Sequence, residues 1–133
     1  KANTALDRIG QFSYKINADI YINVQGDEPI INVNDIKKII NFSRKYKNAV
    51  LFGKAPCDKK TFFDYSKAKV TVDENSKVLY TGRSGKLEFL EGNEVLRFLE
   101  MNIDTYAINL KGNSWAVDLP KDVEIVKKML AKK

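Results

Sequence analysis

The chain has 133 residues, no histidine and a single cysteine, and its 23 lysines and arginines against 17 acids leave a formal charge of +6 at pH 7. That length holds one domain with a core. The missing histidine excludes imidazole acid–base catalysis, Ser–His triads and histidine metal sites. One cysteine excludes an internal disulfide framework, which suits a reducing cytosol. No apolar run approaches the roughly 18 residues of a membrane span, and no signal-peptide pattern opens the chain, so a cytoplasmic protein without membrane attachment is expected. The lysine clusters at 37–38, 45–47, 59–60, 127–128 and 132–133 read as solvated helix faces. Nucleic-acid modules interleave basic residues with exposed aromatics, whereas here most aromatics fall in apolar runs, so no nucleic-acid partner is expected.

Helix and strand patterns alternate along the chain. Leu6, Ile9, Phe12 and Ser13 lie at helical spacing, and Ile20 to Val24 reads as a strand. Asn34 is placed to cap a helix whose apolar face holds Ile36, Ile39, Ile40 and Phe42. Ala49 to Phe52 reads as a short buried strand, and residues 61–66 show aromatics without clear periodicity. Ala68 to Val72 and Val78 to Thr81 flank a polar turn, which predicts a hairpin. Val70 and Val72 share one face of its first strand, and Val78 and Tyr80 one face of its second. Leu87 to Met101 is predicted helical, with Leu87, Leu90, Leu96 and Leu99 inward. Thr105 to Leu110 is a strand and residues 111–114 a turn, followed by a short strand, Trp115 to Val117. Pro120 then opens a last helix, proline being at home in a first turn, with Val123, Val126, Met129 and Leu130 inward. This alternation predicts an α/β fold, a mostly parallel central sheet flanked by helices, in one domain over residues 1–133.

The residues with chemistry in them follow the strands. Gln25-Gly26-Asp27-Glu28-Pro29 comes directly after Ile20 to Val24, and Asp118 directly after Trp115 to Val117. Each acid has two readings. Asp27 is either part of an acidic turn or a ligand at the carboxyl end of a strand, where open α/β sheets bind their ligands. Asp118 is either an acid at a helix N-terminus, favoured by the helix dipole, or the partner of Asp27. If both strands share a sheet and a direction, the two carboxylates converge, and such a pair suits Mg²⁺ bridging to substrate phosphates.

The wording of these segments resembles one family. Gln25 to Pro29 is identical to the Gln-Gly-Asp-Glu-Pro loop of the 3-deoxy-manno-octulosonate cytidylyltransferases, the CMP-Kdo synthetases. Thr4-Ala5-Leu6-Asp7-Arg8 is similar to that family's Ser-Gly-Thr-Asp-Arg. Lys69 to Asp73 with Leu79 to Ser84 looks like its Val-Lys-Val-Val-x-Asp hairpin and Leu-Tyr-Phe-Ser-Arg. Leu87-Glu88 through Arg97 resembles Leu-Glu-x-x-Glu-x-x-Glu-Gln-Leu-Arg, and Val117 to Asp122 resembles Val-Asp-Thr-Pro-Glu-Asp. The set occurs in the family's order.

The resemblance implies a nucleotide-diphospho-sugar transferase-like (Rossmann-like) fold with a β-hairpin insertion. It implies a Mg²⁺-dependent cytidylyltransferase that passes CMP from CTP to an acidic 3-deoxy sugar, such as Kdo, with release of pyrophosphate, for lipopolysaccharide or other surface glycan synthesis. Asp27 and Asp118 would hold the metal and form the catalytic pair. Gln25, Arg83 and Glu94 would face the sugar acid, Asp7 and Arg8 the nucleotide, and the enzyme would be a homodimer.

The chain also departs from the family pattern. Val95 stands where the family has Gln, and Leu119 where it has Thr at the start of the last helix. The family's opening strand and basic triphosphate loop are not among these residues, and Arg83-Ser84 meets Gly85-Lys86-Leu87 without the intervening segment. A gap at 84/85 in a longer chain is therefore expected. The alternatives are a CMP-sialate-type enzyme with the same chemistry and a non-catalytic descendant that binds nucleotide or dimerises.

Overall fold

The computed structural model describes residues 4–64, 66–82, 95–111 and 114–132. Its elements are α1 (Ala5–Ser13), α2 (Val33–Ser43), β1 (Val50–Lys54), α3 (Lys59–Phe62), β2 (Lys69–Val72), β3 (Val78–Gly82), α4 (Val95–Glu100), β4 (Thr105–Asn109) and α5 (Pro120–Leu130). They fall into two compact units, one of Lys1–Asn34 with Asn113–Lys133 and one of Asp35–Gly112. Among the described residues no helix is long and apolar enough to cross a membrane.

The unit spanning Asp35–Gly112 is built on a parallel pair. β1 and β4 run in register from Val50↔Thr105 to Lys54↔Asn109, and Val50 N–H to Asp104 and Leu110 N–H to Lys54 extend the ladder at both ends (2.9 and 2.8 Å). β4 is the core strand: Thr105 and Ala107 have no exposed surface, and Ile108 is buried. The buried Thr105 hydroxyl donates to the Ile103 carbonyl at 3.0 Å, as a buried polar group must. The rings of Phe42, Tyr46 and Tyr106 stack in series, the latter two with centroids 4.1 Å apart, and tie the end of α2 to β4.

β2 and β3 form the predicted antiparallel hairpin, with Lys69↔Gly82 and Thr71↔Tyr80 in register. Its turn is closed by the Asp73 carboxylate, which accepts from Asn75 N–H and Lys77 N–H at 2.8 Å each, while Ser76 takes the left-handed conformation. The expected shared face of Val78 and Tyr80 is not found: Val78 and Thr81 are buried and Tyr80 is exposed. The pairing slips between Thr71 and Val72, which faces Val78. Leu79 is thereby an extra residue in β3, and such a bulge reverses the alternation beyond it. Ala107 N–H donates to Ser76 (3.0 Å), and Lys77 bridges Tyr106, so the hairpin continues onto β4. An exposed ion pair, Lys77 to Asp104 at 2.6 Å, holds the Lys77 ammonium above its usual range.

Helix ends follow local chemistry. α2 is capped by Asn32 rather than the expected Asn34: it immediately precedes the first helical residue, and its side chain accepts from Asn34 N–H at 2.9 Å. α4 stops at Asn102, whose positive φ of 54° and the Ile103 N–H bond back to Phe98 (2.9 Å) form a Schellman cap. The part of the predicted helix at 87–94 lies outside the described residues.

In the other unit α1 begins with a capping box: Thr4 Oγ accepts from Asp7 N–H, and the Asp7 carboxylate accepts from Thr4 N–H, both at 3.1 Å. The predicted strands at 20–24 and 115–117 are not formed. Ile20, Tyr21, Ile22 and Val24 are each more than 40 % exposed, and among the described residues no ladder partner lies beside them. An apolar run becomes a strand only when neighbouring backbone pairs with it. α5 begins at Pro120 as predicted, but its buried stripe is Asp122 and Val126, with Met129 half-buried, whereas Val123 and Leu130 are exposed. Val126 and Met129 keep their expected places, and Asp122 takes the inward site expected of Val123 because its carboxylate is satisfied by hydrogen bonds.

Gly53 in β1 tests the packing. A Cβ added there would overlap the end of the Leu110 side chain and stand 3.0 Å from its Cγ. We expect Gly53→Ala to destabilise the chain by about 1–3 kcal/mol through overpacking, read as a lowered urea midpoint at unchanged slope. A midpoint equal to that of the parent would show that Leu110 swings clear.

Candidate functional site

The loop that follows residues 20–24 is shaped by its own backbone. Glu28 N–H returns to the Gln25 carbonyl at 3.3 Å and Ile31 N–H to the Glu28 carbonyl at 3.2 Å, giving two consecutive turns. Ile30, 5 % exposed, anchors the far side. A Cβ built on Gly26 meets nothing within 4 Å, so local packing makes no demand for glycine at this position.

This loop meets the segment before α5. Val117 N–H donates to the Asp27 carbonyl at 2.8 Å, which sets Asp118 one residue away from a direct contact with Asp27. The segments that carry the two acids singled out from sequence thus meet through a single backbone bond, instead of through the two strands expected. Oδ1 of Asp27 is buried and finds no hydrogen-bond partner among the described residues. Leaving a buried polar atom in this condition is unfavourable by roughly 2–7 kcal/mol unless a donor or a cation reaches it. Among the described residues no three acids, cysteines or histidines gather into a complete metal cage.

Asp122 completes the segment. It is 3 % exposed. Its Oδ2 accepts from Leu119 N–H at 2.8 Å, which supplies the cap that Leu119 has no side-chain oxygen to give. Its Oδ1 accepts from the Trp115 indole at 3.1 Å. The capping half was legible as an acid three residues into the helix. The indole bond joins residues seven apart through a bend, and no local pattern announces it.

The remaining predicted residues are distributed as follows. Gln25 is exposed at the start of the loop. Asp7 is engaged in the α1 cap, a signal already present as Thr-x-x-Asp. Arg8 lines an open, largely apolar cleft of about 660 Å³, together with Ile9, Phe12, Ile16, Tyr21 and Asn23. The Tyr21 hydroxyl donates to the carbonyls of Ser13 and Ile16 and fixes one wall of that cleft. Arg83, Glu94 and the 84/85 junction lie outside the described residues.

The comparisons with known proteins agree with one another. The sequence profile of the family described as cytidylyltransferase matches residues 2–129. The 3-deoxy-manno-octulosonate cytidylyltransferase of Koribacter versatilis is 26 % identical over 160 residues, taking in 93 % of this chain and 61 % of the relative. That of Thermodesulfovibrio yellowstonii is 29 % identical over 122 residues, 87 % of this chain and 48 % of the relative. The chain therefore spans about half to three-fifths of the length of these relatives. An aligned span of 160 residues is longer than the 133 of this chain, so the Koribacter protein carries internal sequence that this chain lacks. A solved structure of CMP:2-keto-3-deoxy-manno-octonic acid synthetase complexed with CTP superposes with a TM-score of 0.88 at 22 % identity, covering 98 % of this chain and 69 % of the other. That likeness establishes the fold.

Asp122 and Asp27 differ in what they do for the fold, and stability separates them. Asp122→Ala leaves the Trp115 and Leu119 donors without their acceptor and should destabilise by about 2–3 kcal/mol. Asp27 is half-buried and its Oδ1 has no hydrogen-bond partner among the described residues, so Asp27→Asn should change stability by no more than about 1 kcal/mol. Urea unfolding followed by far-ultraviolet circular dichroism measures both. A large loss in Asp27→Asn would assign its carboxylate to the fold instead of to a ligand.

Proposed function

Because this chain belongs to the cytidylyltransferase family, we propose that the protein transfers CMP from CTP to an acidic 3-deoxy sugar of the Kdo type, with Asp27 and Asp118 holding Mg²⁺. The observation that supports this reading is the Val117–Asp27 backbone bond, which joins the segments that carry the two acids, together with a buried Asp27 oxygen that has no hydrogen-bond partner among the described residues. The names of the relatives and the CTP-bound neighbour support the substrate class.

The proposed reaction is a displacement at phosphorus. The anomeric hydroxyl of the sugar acid loses its proton and forms a bond to the α-phosphate of CTP, and the bond from that phosphorus to the bridging oxygen breaks to release pyrophosphate. Such chemistry depends on positioning and on neutralising charge. Mg²⁺, when bound, would draw phosphate oxygens together and offset the charge that develops on them. Asp27 and Asp118 are hard oxygen donors and fit that ion, which binds through one or two carboxylates and completes its shell with water and phosphate. Gln25, exposed at the head of the same loop, is proposed to offer its amide to the sugar. Arg83 and Glu94 are proposed to face the sugar acid, the guanidinium matching its carboxylate in charge and in fork geometry. Arg8, in the wall of the α1 cleft, and Asp7 are assigned to the nucleotide side. The product is a CMP-activated sugar for lipopolysaccharide or related surface glycan synthesis, made in the cytoplasm by a homodimer.

The test is pyrophosphate release with each nucleoside triphosphate and a panel of 3-deoxy sugar acids. CTP should be used in clear preference to UTP, ATP and GTP, and a chelator should abolish turnover. Asp27→Asn should lower kcat by about 10²–10³-fold, the usual scale for removing one electrostatic group from such a site. Equal use of UTP would move the protein to another nucleotidyltransferase group, and a preference for a nine-carbon acid would move it to the sialate-type enzymes.

A further inference from the structure

A helix cap needs one oxygen, yet Asp122 uses two. Leu119 N–H occupies Oδ2 and the Trp115 indole occupies Oδ1. The two donors lie on either side of Asp118, three residues before it and one after it. Between them, Val117 N–H is held by the Asp27 carbonyl. One buried carboxylate therefore grips both ends of a five-residue segment whose middle is fastened to the Asp27 loop.

We infer that Asp122 and Trp115 together form a positioning clamp that fixes the Asp118 carboxylate relative to Asp27. This rests on the reading of Asp27 and Asp118 as a metal pair. A cation shared between two carboxylates requires their separation to be held closely, and groups that orient metal ligands from behind typically change affinity by about 10–100-fold when removed. A flexible segment would have to be ordered at each binding event, at an entropic penalty. The clamp does that ordering during folding. The charged state of Asp122 has its own logic. The bonds that a carboxylate accepts are stronger than those of a neutral acceptor, and both of its oxygens accept, whereas an asparagine would present a donor to one of the two N–H groups.

The experiment titrates Mn²⁺ alone into the purified chain and counts free ion by electron paramagnetic resonance. Trp115 is the chain's only tryptophan, so quenching of its emission by the paramagnetic ion gives a second readout in every variant that keeps it. The parent chain should bind Mn²⁺, and Asp27→Asn and Asp118→Asn should abolish that binding. Trp115→Phe removes the indole bond to Asp122 and keeps the cap at Leu119, so it should fold like the parent and weaken Mn²⁺ binding about 10-fold. Asp122→Asn should weaken it at least as much; if that variant does not fold, Trp115→Phe decides. In the active enzyme both changes should raise the Mg²⁺ concentration for half-maximal rate more than they lower kcat at saturating Mg²⁺, a split that general loss of structure does not produce. Mn²⁺ affinity unchanged in Trp115→Phe, with binding still lost in Asp118→Asn, would overturn the clamp and leave the metal pair standing. Mn²⁺ binding indifferent to both Asp27 and Asp118 would overturn both.

Discussion

A single backbone hydrogen bond, from Val117 N–H to the Asp27 carbonyl, is the constraint on which the candidate site depends. It joins two stretches that lie far apart in the chain, and it acts through main-chain atoms. Hydrogen bonds are individually modest, contributing about 0.5–1.5 kcal/mol net. This one is supported by what flanks it. Ile30 is buried just beyond the Asp27 loop, and Val126 is buried two turns into α5. The two elements are thus anchored by apolar side chains, and the polar residues between them are carried into register.

Much of the molecule was legible in its sequence where local chemistry decides. The hairpin turn at Asp73 to Lys77, the start of α5 at Pro120 and the existence of β1, β4 and the three longer helices all follow from turn residues and periodicity. Legibility failed where a distant partner decides. Ile20 to Val24 has the composition of a strand but no described neighbour to pair with. Tyr80 lost its expected face to a register slip that no residue type in β3 announces. Val123 gave its inward place to Asp122, because an acid can be buried once two donors meet it.

The candidate site divides along the same line. Asp27 and Asp118 stood out as candidates from their place after apolar runs and from the wording of the loop around Asp27. How their segments meet was not readable, since the bond between them involves Val117, a residue with no chemistry of its own. Asp7 shows the reverse case. Its motif suggested a ligand, while the structure gives its carboxylate a cap to hold. Capping and binding are both acceptor roles, and a carboxylate has two oxygens with which to serve them.

The parallel pairing of β1 with β4 also bears on how the chain reaches this structure. Val50 must find Thr105, and the hairpin, α3 and α4 all lie in the loop that closes when it does. Closing a loop of that size sacrifices chain entropy before any sheet contact compensates it. The β2–β3 hairpin, by contrast, needs only its five-residue turn, and hairpins form in about 1–10 μs. Folding is thus expected to begin with a local hairpin and to wait on a distant strand. During that wait the β4 residues Thr105, Ala107 and Ile108, which the native fold buries, are left in contact with solvent. The most protected strand of the finished protein is therefore its greatest aggregation hazard while it is being made.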